Sequence, residues 1–241
     1  MDIAVERMIY GKCLNSGQIC VAPDYVLVPA DKLSDFVQAY KRKFTKMYGQ
    51  VSDNKDYGSI INQRQFDRLM QVLDDAKAKG ATIDSANDEA INLEKRKVPT
   101  QLITGATDEM ILLQDEIFGP LLPVIPYANL DDAISYVNQR PRPLALYLMS
   151  FDSATQNKVM NHTHSGGVCI NESVFHVAAD DAPFGGIGPS GMGHYHGKEG
   201  FLTFSHAKTI LKRGKLFNTG KLVHPPYGGK LQQLLTKFFL R

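Results

Sequence analysis

Two patterns of apolar residues alternate along the chain, one typical of helices and the other typical of strands. A spacing of three and four residues predicts amphipathic helices over residues 2–14, 31–48 and 63–79. Short apolar runs predict strands, and these lie at 25–28, within 94–105, and at 121–125, 144–149 and 168–170. This alternation is typical of an α/β fold, so we expect a mainly parallel sheet with flanking helices.

Capping residues predict where two helices begin in the second half of the chain. Asn129 precedes Asp132 by three residues, which predicts the capped start of a helix. Ser153 and Gln156 form a capping-box pattern that predicts the start of the next one. Between these helices the run 144–149 is continuously apolar, as expected of a strand covered on both faces.

The last third of the chain departs from the alternation. Residues 173–200 contain seven glycines, and a loop this long inside a compact domain is usually functional or disordered. Beyond it we expect a C-terminal strand at 209–211 and a short amphipathic helix at 231–240.

The net charge of +2 hides an asymmetry along the 241 residues. Residues 200–241 contain eight lysines and arginines and no acid, which leaves 19 bases against the 25 acids of the rest. The eight bases are spread out and interrupted by apolar residues, unlike the clusters that bind nucleic acid. We therefore expect this tail to be solvated or to dock on an acidic partner, with no nucleic acid as its ligand.

Cysteine usage and the apolar runs point to a cytoplasmic protein without a membrane span. Three cysteines, an odd number, argue against a disulfide framework and suit a reducing compartment. No apolar run approaches the ~18–20 residues that a spanning helix needs. The pairs His162/His164 and His194/His196 lack accompanying cysteine or carboxylate ligands, so we expect no metal site.

Cys20 is the most informative residue of the sequence. It follows a Ser16–Gly17 turn and precedes Pro23–Asp24, directly before the first predicted strand. A lone cysteine is by default a buried apolar side chain, as we expect for Cys13 and Cys169. A cysteine held in a turn beside backbone N–H groups is instead suited to act as a thiolate nucleophile.

Two further runs after Cys20 contain candidate functional residues. The first, Asp115–Pro120, places an acid and an aromatic residue in a turn before a strand. The second, Pro183–Gly193, contains a formal G-x-G-x-x-G. Pro189 interrupts that pattern and no acid lies about 20 residues downstream, so we do not expect a dinucleotide-binding turn there.

The three runs together resemble the motifs of aldehyde dehydrogenases, and Val-Ala-Pro-Asp-Tyr after Cys20 resembles the class 3 branch, which includes coniferyl aldehyde dehydrogenases. The resemblance implies that Cys20 is the catalytic nucleophile. It implies that Glu116 binds the nicotinamide ribose, that Phe118 packs beside the nicotinamide, and that Phe184 borders the substrate tunnel. It also implies NAD or NADP as cofactor and a homodimeric intact enzyme.

The resemblance covers only about the C-terminal half of the family's protein. It implies a catalytic domain at residues 1–204 and an oligomerisation strand and tail at 205–241. The N-terminal cofactor-binding domain, with the general-base Glu and the oxyanion-stabilising Asn, is expected to be absent from this chain. The chain alone is therefore expected to lack steady-state activity.

Two alternatives stay open. In a CoA-acylating or semialdehyde dehydrogenase, a thiol or phosphate would replace water as the acyl acceptor. In a non-enzymatic half-protein, the same fold would serve as an oligomerisation or binding module.

Overall fold

The computed structural model describes residues 1–216, 220 and 224–239. The chain divides into two units, Met1–Phe204 and Ser205–Arg241.

Six strands build the first unit. They are β1 (Val26–Pro29), β2 (Thr82–Ser85), β3 (Gln101–Thr104), β4 (Leu121–Tyr127), β5 (Ala145–Leu148) and β6 (Gly167–Ile170). The first four form a sheet in the order β1-β4-β3-β2, in which only β2 runs antiparallel to its neighbour. Strands β5 and β6 pair in parallel as a second, two-stranded sheet. The predicted α/β class with mainly parallel strands is confirmed.

Among the described residues, seven helices of the first unit accompany these strands and the last helix belongs to the second unit; most of the eight lie where the apolar periodicity predicts. They are α1 (Asp2–Cys13), α2 (Leu33–Tyr48), α3 (Gln63–Ala78), α4 (Ile111–Gln114), α5 (Leu130–Asn138), α6 (Ser153–His162), α7 (Gly197–Thr203) and α8 (Lys230–Phe239). In the described ranges no helix has the length and apolarity required to cross a membrane.

The four-stranded sheet is buried on both faces. Neighbouring residues of a strand point to opposite faces, so Leu102 and Leu122 pack with α1 and α2, whereas Ile103 and Leu121 pack with α3. All four side chains are fully buried. Because both layers are apolar, β1, β3 and β4 are fixed in register, and the turns at their ends are held in place.

The structure differs from the sequence analysis in four places, one missed strand and three expectations that need correction. Strand β2 was not predicted, because Thr82, Asp84 and Ser85 make it a polar edge strand. Helix α6 is capped by Asp152, whose carboxylate accepts the Thr155 N–H at 2.8 Å, and not by Ser153. Strand β5 is only half-buried along its length.

The fourth difference concerns the C-terminal strand. Within the described residues, 209–211 is not a strand, and Ile210 and Leu211 are largely exposed. A strand needs a neighbour that pairs with its N–H and C=O groups, and the apolar run alone does not supply one.

Candidate active site

The loop from residue 15 to residue 24, here the cysteine loop, begins with an unusual backbone. Asn15, Ser16 and Gly17 follow one another with φ of 50°, 55° and 73°. Left-handed backbone costs about 1–2 kcal/mol for each residue other than glycine, so outside contacts must hold it. The buried Ser16 hydroxyl donates to the Gly58 carbonyl at 2.7 Å. The Gln18 amide donates to the Ser59 carbonyl at 3.1 Å.

Gly17 lies against the turn that contains Glu116 and Phe118. A Cβ on Gly17 would stand 2.5 Å from the carbonyl oxygen of Gly119. A Cβ on Gly119 would in turn stand 2.6 Å from a methyl carbon of Leu69. The missing Cβ of Gly17 therefore permits the close backbone approach that brings the first two motifs together, and the missing Cβ of Gly119 makes room for Leu69 on the same turn.

A side chain fastens the same two segments. The Asp24 carboxylate accepts the N–H of Ile117 at 3.0 Å, and the Arg68 guanidinium donates to the Ile117 carbonyl at 2.5 Å. Ile117 is fully buried. Ile117 therefore anchors the turn, while the side chains of the residues on either side of it, Glu116 and Phe118, are exposed.

The exposed pair at this turn is suited to hold a planar, hydroxyl-bearing ligand. Partial burial, with Asp24 nearby, raises the pKa of Glu116 above its usual value. Phe118 has a φ of 47°, which turns the chain sharply between two buried residues. A carboxylate accepts hydroxyl donors and an aromatic face packs on a flat ring.

Lys12 is a buried cation beneath the cysteine loop. Its ammonium donates to the Pro23 carbonyl at 2.7 Å, next to the partly buried Asp24. Burial lowers the pKa of Lys12 to about 8, against the attraction of Asp24. Burial also raises the pKa of Asp24, which Lys12 and the Ile117 N–H oppose.

The third motif meets the other end of the cysteine loop. Val21, Val174 and Phe184 form a buried apolar cluster that includes the partly buried Tyr147. The Tyr147 hydroxyl donates to the Val21 carbonyl at 2.6 Å. Phe184 is itself held by two backbone hydrogen bonds with Tyr195, each of 2.9 Å. The side chain of Phe184 is buried in the same cluster as Val21, the residue that follows Cys20.

Cys20 itself is the exposed thiol of the three free cysteines. Cys13 is buried beside Thr100, and burial raises its pKa to about 12. Cys169 is buried too, and its pKa is raised for the same reason. Of the three cysteines, only Cys20 is therefore accessible to a molecule from solution. The loop that carries it is held by contacts on both sides of Cys20.

The remaining features of the sequence take no part in this arrangement. The glycine run closes on itself, with the Gly191 N–H donating to the Gly188 carbonyl at 3.1 Å. Across the described ranges, no three His, Cys, Asp or Glu side chains are grouped as a metal site requires.

Several residues that hold the site were not among the sequence predictions. They are Lys12, Asp24, Arg68 and Tyr147. Tyr147 and Val21 lie 126 positions apart, and Ile117 and Asp24 lie 93 apart. Gly17 and Gly119 are the exceptions, because a glycine in a turn is a local pattern that indicates close approach of another backbone segment or side chain.

An exposed cysteine on a loop held at both ends, in an α/β fold, has the accessibility that a cysteine nucleophile needs. The chain matches the Aldehyde dehydrogenase family over residues 1–210. A probable coniferyl aldehyde dehydrogenase of Pseudomonas aeruginosa is 54% identical over 241 residues, which are 100% of this chain and 50% of that protein. The dimeric NADP-preferring aldehyde dehydrogenase of Canis lupus familiaris is 40% identical over 234 residues, 96% of this chain and 50% of that protein.

The chain belongs to the aldehyde dehydrogenase family. In structure it is similar to Staphylococcus aureus AldH, solved in a substrate-bound state, with a TM-score of 0.88 and 38% identity over 100% of this chain and 51% of that one. The chain spans about half the length of the curated relatives it matches. The family resemblance seen in the motifs is confirmed.

Gly17→Ala tests the contact between the two turns. Gly49 is the matched control, because it has a φ of 60° and nothing within 4 Å of its Cβ position. Gly49→Ala should lose about 1–3 kcal/mol of unfolding free energy through backbone strain alone, since Gly49 combines its positive φ with a ψ of −130°. Gly17→Ala should lose at least about 2 kcal/mol more through overpacking, measured by urea denaturation. Equal losses would show that the contact does not constrain the loop.

Lys12→Met tests the buried cation through pH. The folded pKa of about 8 lies below the reference value of 10.5, so between these values the unfolded chain binds more protons. The unfolding free energy of the native chain, relative to Lys12→Met, should therefore rise from pH 8 to about 10, by up to ~1.4 kcal/mol per pH unit. The raised pKa of Cys13 makes the unfolding free energy fall with pH instead. Because Cys13 is present in both proteins, its contribution largely cancels in the difference between them. A flat or falling difference would contradict the burial of a charged Lys12.

Iodoacetamide labelling tests the exposure of Cys20. Peptide mapping by mass spectrometry should show Cys20 modified at least about tenfold faster than Cys13 or Cys169, whose thiols are buried with raised pKa. Denaturant should remove the difference. Equal rates in the folded chain would contradict the described loop.

Proposed function

We propose that this chain supplies the nucleophile and part of the cofactor-facing surface for oxidation of an aldehyde to a carboxylic acid. The observation that carries the proposal is an exposed Cys20 on a loop held at both ends by the other two motifs. Residues 1–204 would form the catalytic domain, and 205–241 would form a C-terminal segment for oligomerisation. A cytoplasmic homodimer is the proposed setting, and the name of the Canis relative supports the dimer.

The proposed reaction begins with a new bond between the Cys20 sulfur and the aldehyde carbon. The carbonyl electrons move to oxygen, and the backbone N–H of Cys20 would donate to that oxyanion. Cys20 would then hold the acyl group as a thioester until water releases the acid and restores the thiol. Tyr147 and Gly17 would be positioning residues: Gly17 holds the backbone before Cys20, and Tyr147 holds the backbone after it.

Glu116 and Phe118 fit the nicotinamide end of NAD or NADP. The bound cofactor would supply the hydride acceptor. Glu116 would accept hydroxyl groups of its ribose, and Phe118 would pack beside the ring. The name of the Canis relative supports a nicotinamide cofactor for the family.

An aromatic aldehyde of the coniferyl type is the proposed substrate, on the strength of the Pseudomonas relative's name. Phe184 would border the substrate pocket from the buried apolar cluster that it shares with Val21, the residue after Cys20.

A chimera tests the proposed reaction. The matching half of the Pseudomonas relative is replaced by this chain, and NADH or NADPH formation is followed by absorbance with coniferyl aldehyde. The chimera should turn over, and Cys20→Ala should lower kcat by about 1000-fold or more. Glu116→Gln should raise the cofactor KM about tenfold, whereas Glu94→Gln, at another exposed carboxylate, should not.

The chain by itself should show no steady-state turnover, yet Cys20 should still accept an acyl group from p-nitrophenyl acetate. That acyl group should map to the Cys20 peptide by mass spectrometry. An active Cys20→Ala chimera, or an acyl group on another residue, would contradict the proposal.

A further inference from the structure

A histidine is in contact with the apolar cluster next to the cysteine loop. The ring of His176 meets the ring of Tyr147 edge to face, with centroids 5.8 Å apart, and it meets the ring of Phe184 at 5.5 Å. Both aromatic residues belong to the cluster that contains Val21, and the Tyr147 hydroxyl donates to the Val21 carbonyl at 2.6 Å. One imidazole is therefore linked, through Tyr147, to the backbone directly after Cys20.

Both polar atoms of the His176 ring are buried without a partner in the part of the chain that the structure describes. Neither ring nitrogen has a hydrogen bond there. Buried polar side-chain atoms are usually hydrogen-bonded, so this imidazole is an exception that calls for a reason. Atoms of this chain already cover both nitrogens, so their burial does not depend on what else the intact protein contains.

Gly167, the first residue of β6, leaves the space that this ring occupies. A Cβ at position 167 would stand 2.8 Å from Cδ2 of His176 and 3.2 Å from its Nε2. The ring has little room to move away from such a Cβ, because Tyr147 and Phe184 lie against it. The position of the His176 ring is therefore closely defined.

The groups that touch the ring supply no opposite charge. Tyr147 and Cys169 lie opposite each other on β5 and β6, and the backbone of His176 hydrogen-bonds to the Cys169 thiol. Burial raises the pKa of Tyr147 and of Cys169, so both stay uncharged in neutral and acidic solution. Burial also lowers the pKa of His176 below its ordinary value of 6.5.

Two further titratable groups lie near this region. His196 contacts the far neighbour Phe184, with ring centroids 6.2 Å apart, and Glu172 has Arg7 as its ion-pair partner at 3.9 Å. Among the described residues, no ring contact or ion pair joins either group to His176. An imidazolium has two N–H donors and a full charge, and neither would be satisfied here. The site therefore accommodates His176 only as a neutral imidazole.

We propose that His176 is a positioning residue for Cys20 and that it acts only in its neutral form. The neutral ring keeps Tyr147 in place, and Tyr147 holds the Val21 carbonyl, so the backbone N–H of Cys20 stays directed at the acyl oxygen. Protonation places an unpaired charge in this site, which displaces the ring and releases the backbone after Cys20. The role of His176 rests on Cys20 being the nucleophile of the proposed function.

Two reactions of Cys20 in the full 241-residue chain separate its position from its thiolate content. Acylation by p-nitrophenyl acetate depends on the oxyanion-binding geometry, whereas alkylation by iodoacetamide needs only the thiolate. The ratio of the two rates therefore cancels the titration of Cys20 itself. Both rates are measured by mass spectrometry between about pH 8 and pH 5, and circular dichroism verifies that the chain stays folded.

The ratio should depend on pH in the native chain. Because the folded pKa of His176 lies below the unfolded one, the neutral ring is present near pH 8 and is lost as the pH falls below 6.5. The ratio of acylation to alkylation should fall about tenfold over that range, as expected for a misplaced reacting group. In His176→Phe, which keeps an aromatic ring but cannot be protonated, the ratio should stay constant. His164→Phe, at an exposed histidine of the first unit, should keep the native pH dependence.

Variants at constant pH test the contact itself. At pH 8, His176→Ala should lower the ratio at least about fivefold, whereas His176→Phe should keep it within about twofold of the native value. Gly167→Ala crowds the ring and should lower the ratio as well. In the double variant the second change should cost little more, because the three atoms nearest to the added Cβ all belong to His176.

Nuclear magnetic resonance gives a reading that does not need Cys20 to react. The imidazole of His176 should titrate below pH 6.5, and the amide signals of Val21 and Ala22 should shift with the same midpoint. Amide signals that stay fixed while His176 titrates would overturn the proposal. An acylation ratio that is flat in the native chain, or that falls equally in His176→Phe, would overturn it too. If the amides follow His176 while Cys20 is acylated at no pH, the contact stands and the proposed nucleophile is wrong.

Discussion

The close approach of Gly17 to Gly119 is the constraint on which the site depends. The cysteine loop follows α1, and the turn with Glu116 and Phe118 lies about a hundred residues later, before β4. Nothing local in either segment brings them together. Because residue 17 is glycine, the backbones meet at a distance that a Cβ there would forbid, and the Asp24 carboxylate then accepts the Ile117 N–H.

Two different kinds of contact hold the two ends of the loop. At its start the contacts are polar and involve backbone, through Ser16 and Gln18. Directly after Cys20 they are apolar, through Val21 and Phe184, with one hydroxyl from Tyr147. At the last two residues, Pro23 and Asp24, they are polar again. A nucleophile between two fixed ends loses little conformational entropy when it meets a carbonyl carbon, which is an advantage for catalysis.

The sequence was informative wherever a short pattern carries the information. Apolar periodicity predicted most helices, Asn129 was identified as a cap, and three motifs identified the family. Long-range polar contacts were out of reach, as with Tyr147 and Val21, because no local pattern records them. The strand expected at 209–211 failed for the opposite reason, since apolar β-formers specify a strand only where a partner strand exists.

Hydrogen exchange at the Ile117 amide tests the central claim most directly. If the Gly17–Gly119 contact couples the two turns, Gly17→Ala should accelerate exchange at Ile117 and at Ala22 together, relative to core amides of β3. Gly49→Ala should leave both amides protected. Faster exchange confined to the cysteine loop, with Ile117 as protected as before, would contradict the account.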